Sequence, residues 1–104
     1  MPMTVVVTRN VSGRMRGFLA SCMLEVAPGV YCAPRMSRGV RDRVRQVLDS
    51  WFAAEEEASV VMLWADGSLP AGQGVHVLGT PPYELLNYDG VIVSRHGQKD
   101  GECK

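Results

Sequence analysis

Two stretches of this chain are apolar at nearly every consecutive position. One runs from Thr4 to Thr8 and centres on Val5, Val6 and Val7; the other runs from Ser59 to Ala65. β-Branched runs without alternation read as strands covered on both faces. The rest of the chain must therefore supply that cover, and only two segments carry helical periodicity. In the first, Ser12 stands as N-cap, and Met15, Phe18, Leu19, Cys22 and Met23 fall on one apolar face that ends before Pro28-Gly29. In the second, Ser37 is the cap, and Val40, Val44, Val47, Leu48 and Trp51 form the inner stripe. Glu55, Glu56 and Glu57 close that element, where acids oppose the helix dipole, so fraying is expected there.

Shorter strands fill the remainder. Val30 to Ala33 is one. Val75 to Leu78 is the hairpin partner of the second apolar run, across Asp66-Gly67 and Pro70 to Gly74. Thr80-Pro81-Pro82 is a connector, and Val91 to Ser94 is the last strand. The order is β-α-β-α-β-β-β. A length of 104 residues makes one domain, expected over 1–95, with a polar, frayed tail over 96–104. Two helices cover only one face of a small sheet. The other apolar face is an interface, closed by a second copy of the same sheet or by residues 80–95 folding back.

Other classes fall away. No apolar run approaches the ~20 residues of a membrane span. Met1-Pro2-Met3-Thr4 enters the first strand without a basic region or long apolar stretch, so no secretion signal is read and a cytoplasmic location is expected. Cys22, Cys32 and Cys103 are odd in number and widely spaced, which suits reduced thiols better than a metal site or disulfide framework.

The net charge is zero, yet the charges are segregated. Residues 1–45 carry eight arginines against Glu25 and Asp42, a net +6; residues 46–104 carry three basic residues against nine acids, a net −6. Arginine's planar fork suits pairs of phosphate oxygens, so this clustering is an electrostatic footprint for nucleic acid. Arg14 and Arg16 stand in the first turn of helix one, where cations are locally unfavourable; they read as phosphate contacts or as solvated side chains. Arg9 and Asn10 follow strand one at the same edge. Arg38, Arg41 and Arg45 recur at helical spacing on the polar side of helix two, a solvated face or a second DNA track. His76 and His96 have no Asp or Cys pattern beside them and read as surface residues. Trp51 and Trp64 sit on core stripes and read as packing.

Several blocks in this order resemble a known family: Thr4 to Val11, Arg14-Met15-Arg16-Gly17, Leu24-Glu25-Val26, Gly29-Val30-Tyr31, Val60-Val61-Met62 with Trp64-Ala65, and Asp89-Gly90. Together they resemble Cas2, the second of the two universal CRISPR-associated adaptation proteins, in its type I-E form. The resemblance implies an α/β (α+β) fold, a ferredoxin-like sandwich of an antiparallel-rich sheet with two helices on one face, dimerising through its sheets. It implies a homodimer clamped between two dimers of the integrase Cas1, holding a captured DNA duplex during spacer acquisition. It supports DNA contact at Arg14 and Arg16, and it makes Asp89 an acid that faces the integrase.

The resemblance also raises nuclease activity. Many relatives carry an acid at the end of strand one, and a pair of these across a dimer can hold a divalent metal. This chain has Arg9 there, which repels Mg²⁺, and Asn10 offers one neutral oxygen. No other carboxylate is expected at that edge. The reading is a scaffold with no catalytic residue and no cofactor; a Mg²⁺-dependent endonuclease with Asn10 as weak candidate is the alternative, and a generic RNA-binding module ranks below it. Some relatives carry paired arginines before the Asp-Gly turn, where this chain has Pro82-Tyr83.

Overall fold

The structure, a computed structural model, describes residues 2–79, 83–88 and 90–96. Two serine caps set its helices. Ser12 is extended, and its Oγ accepts a hydrogen bond from the Met15 N–H at 3.3 Å, starting α1 (Gly13–Cys22). Ser37 Oγ accepts from the Val40 N–H at 3.2 Å and starts α2 (Arg38–Phe52). Each cap satisfies one of the N–H groups that a helix start leaves unpaired.

Around these helices the chain forms β1 (Thr4–Arg9), β2 (Leu24–Ala27), β3 (Val30–Ala33), β4 (Ser59–Ala65) and β5 (Gln73–Gly79). They make one sheet in the order β2-β3-β1-β4-β5, with every neighbouring pair antiparallel. β1-α1-β2 and β3-α2-β4 are two split βαβ units, the ferredoxin-like arrangement, and β5 adds an outer strand beside β4. β6 (Tyr83–Tyr88) and β7 (Val91–His96) pair separately as a two-stranded antiparallel sheet.

Both helices pack on one face. Val6, Tyr31, Ala33, Val60 and Met62 point from the sheet into a core that Met15, Leu19, Val44 and Leu48 complete from the helices. The alternate positions form two cross-strand rows on the opposite face: Cys32–Val5–Leu63–Val75 and Val30–Val7–Val61–Val77. All eight are apolar. Val7 and Val77 remain 39% and 40% exposed, so the described part of the C-terminal segment does not cover them.

The structure departs from the sequence pattern at several elements. The apolar stripe carries helix one toward Pro28, but Met23 is already extended (φ −140°, ψ 162°), and its N–H closes the helix on the Leu19 carbonyl at 2.8 Å. Leu24–Ala27 is a strand, β2, which a bulge separates into two registers against β3. Gly29 makes the β2–β3 turn at φ +78°, close against the Thr8 carbonyl. Cys22, placed on the apolar face by its spacing, is exposed. Tyr83–Tyr88 is a strand without an alternating pattern, and β5 and β7 run beyond the predicted bounds. α2 ends at Phe52, before the acid run rather than within it.

Candidate nucleic-acid interface

The arginine positions follow from helix geometry. Arg14 and Arg16 are two residues apart, about 200° around α1, so they leave the helix on different sides. Arg14 turns toward α2, and its guanidinium lies 3.9 Å from the centre of the Trp51 ring. Phe18 meets that ring edge-on at 5.3 Å, fixing the platform. Arg16 turns the other way and is close enough to Tyr31 to lower its pKa. Burial and the carboxylate of Glu25 act more strongly in the opposite sense, so the phenol is raised overall. Neither helix has an acid in its first turn. Backbone dipole and side chains therefore present positive potential together at both helix starts.

An internal anion stands at the first of them. Glu55 reaches back from the α2–β4 connection, and its two oxygens accept from the Ser12 N–H and O–H, each at 2.7 Å. This is the reciprocal half of a capping box supplied from 43 residues away. The acid run thus serves the start of α1 rather than fraying the end of α2. Asn10 is also committed. It adopts φ +61°, which asparagine tolerates, and its Nδ2 donates to the Glu57 carbonyl at 3.1 Å. Glu55 and Glu57 border one small cavity with Arg9. This corrects the expectation that no other carboxylate lies at the strand-one edge. Both oxygens of Glu55 are hydrogen-bonded, and Arg9 shares the cavity. Among the described residues no three His, Cys, Asp or Glu side chains converge as a metal-binding group.

The second arginine set is not a uniform row. Arg38 and Arg45 are exposed. Arg41 is only 7% exposed, a correction to its placement on the polar side of α2. It takes an inner position that the apolar stripe gives to Val40, which is 49% exposed instead. The Arg41 guanidinium stacks 4.9 Å from the Trp64 ring centre. Trp64 packs against its cross-strand partner Gly74, so close that a Cβ there would overlap the indole atoms. Strand glycine, indole and guanidinium form one stack. A desolvated cation–π contact contributes about 2 kcal/mol or more, against several kcal/mol for removing a guanidinium from water. Arg38, Arg41 and Arg45 line a groove of about 700 Å³ between α2 and the β4–β5 loop. By helical rise Arg41 lies about 15 Å along α2 from the Trp51 platform.

Both tryptophans pack against the core, as their spacing suggests, but each also carries an arginine, which the sequence did not signal. His76 pairs across 2.7 Å with Asp49 of α2, a contact invisible in sequence because the two stand 27 positions apart. Asp89 lies outside the described residues, as do Pro82, Cys103 and the tail from 97 to 104, whereas His96 ends β7.

Two further observations bear on class. Among the described residues no helix is long and apolar enough to cross a membrane. Residues 3–93 match the model of the family described as CRISPR-associated protein (Cas_Cas2CT1978). The chain belongs to this Cas2 family. The match spans both split βαβ units, β5, β6 and the start of β7, so the family unit includes the C-terminal hairpin as well as the five-stranded sheet.

Proposed function

We propose that this Cas2 protein is a non-catalytic DNA-binding adaptor of spacer acquisition, of the type I-E form. Its homodimer bridges two Cas1 integrase dimers and holds the captured duplex by phosphate contacts. The observation that carries this reading is the division of the sheet. One face bears the helices and their exposed arginines; the other is a continuous apolar surface of four strands. A dimer formed through the apolar faces leaves both arginine sets on its outside. Recognition through arginine and backbone dipoles reads phosphate position and carries little base information. Asp89 and the acidic C-terminal part are the proposed docking side for the integrase.

Arg14→Ala with Arg16→Ala is expected to weaken binding of a fluorescent duplex and to flatten the slope of log K against log salt by about one unit per lost phosphate contact. Binding equal to wild type at low salt refutes the assignment.

The endonuclease alternative gains one observation, the approach of Glu55 and Glu57 to the Arg9–Asn10 edge. Purified protein with single-stranded RNA or duplex DNA, in Mg²⁺ or in EDTA, decides between the readings. Cleavage that needs Mg²⁺ and is lost in Asn10→Ala overturns the scaffold; intact substrate in both conditions supports it.

A further inference from the structure

The groove beside α2 holds a cation that the DNA-track reading leaves unexplained. Arg41 is more than nine-tenths buried, lines the groove, and makes no hydrogen bond or ion pair through its side chain among the described residues. Stacking on Trp64 uses the flat face of the guanidinium and leaves its in-plane N–H donors unspent. They open onto the groove, where Asp66 is near enough to feel the guanidinium's charge but does not form an ion pair with it, so an acceptor from outside the chain can reach them. Arg38 and Arg45 stand one turn away on either side, exposed at the rim of the same groove.

We propose that this groove is a discrete site for a terminal phosphate monoester, with Arg41 at its floor and Arg38 and Arg45 closing on the phosphate from the rim. This rests on the nucleic-acid reading above and deepens it. An internal phosphate of a duplex is flanked by sugars on both sides and reaches the rim alone. A terminal phosphate has one free side, enters to the floor, and carries nearly two charges at neutral pH. Two acids also line the groove, Asp42 and Asp66. Asp66 is held ionised below the usual carboxylate range, chiefly because the Ser68 O–H and N–H both donate to its Oδ1, at 2.6 and 3.0 Å. Three cations against two anions suit one phosphate group and reject a polyphosphate. Two sources share this chemistry: the 5′ end of a DNA strand and a free nucleoside monophosphate.

The test compares one overhanging duplex carrying either a 5′-phosphate or a 5′-hydroxyl, with the full chain at fixed salt. Wild type is expected to bind the phosphorylated form about tenfold tighter, as one charge-assisted contact set provides. That ratio should fall to about one in Arg38→Ala/Arg45→Ala, whose side chains are exposed. It should persist in Arg35→Ala/Arg43→Ala, which removes the same charge away from the groove. Equal binding of the two forms by wild type, or a ratio that survives loss of Arg38 and Arg45, overturns the site while leaving the scaffold reading intact. Should wild type bind neither duplex, the scaffold reading fails, and calorimetry with AMP decides the site: binding lost in Arg38→Ala/Arg45→Ala supports it, and no binding ends it. AMP that competes with the phosphorylated duplex identifies a free nucleotide as a source; AMP that does not compete, beside a tenfold ratio, identifies the strand end.

Discussion

Gly74→Ala is expected to destabilise this protein by about 3 kcal/mol and to lower its thermal midpoint by roughly 10–20 °C. The added methyl would overlap the Trp64 indole. Nothing smaller than a ring displacement relieves that overlap, because Trp64 is the direct cross-strand partner of Gly74. A displaced ring loses its packing on the core and takes away the surface on which the Arg41 guanidinium rests. Arg41 then stands buried without its aromatic partner, so the cost exceeds that of a simple overpacked strand. Near-UV circular dichroism and thermal melting read the two consequences together. A variant that melts within 3 °C of wild type, with an unchanged near-UV spectrum, refutes the stack.

That stack also marks where the sequence stops speaking. Caps, helix stripes and the two apolar strands are local patterns, and Ser12, Ser37, Val44, Leu48 and the valines of β1 occupy the positions those patterns assign. β2 escapes because Leu24–Ala27 is four residues long and continues an apolar stripe, so the signal that ends the helix is the extended backbone of Met23. Arg41 escapes for another reason. Periodicity puts an arginine outside by default, and only a tryptophan seated on a distant strand glycine makes an inward arginine tolerable. Glu55 is read as the tail of α2 when it is the cap of α1, since the partner chosen by a carboxylate 43 residues away depends on the fold. The exposed arginines were legible as charge; their division into a Trp51 platform and a walled groove was not, because that division depends on which rings lie beneath them.

Leu63→Asp is expected to convert the proposed dimer into a monomer and to abolish tight duplex binding. Leu63 stands in the middle of the row Cys32–Val5–Leu63–Val75, on the face away from the helices. It is half-buried within its own subunit, so a carboxylate there still meets water in the monomer and the fold survives. Against a second copy it would be a charge buried without a partner, contributed once by each subunit. Each such charge costs several kcal/mol, enough to weaken association at least about a thousandfold. Duplex affinity falls with it, because a monomer offers half of the arginines and loses the fixed spacing between the two sets. Light scattering at tens of micromolar should give a dimer for wild type and a monomer for the variant, with matching far-UV spectra. A monomeric wild type, or a variant that remains dimeric, removes the premise on which the bridging role stands. Val40→Asp makes the comparison specific: Val40 is also apolar, and more exposed, but projects from α2, so it should leave the dimer intact. If that change dissociates the dimer instead, subunits meet through their helices, and the arginines there are interface residues rather than DNA contacts.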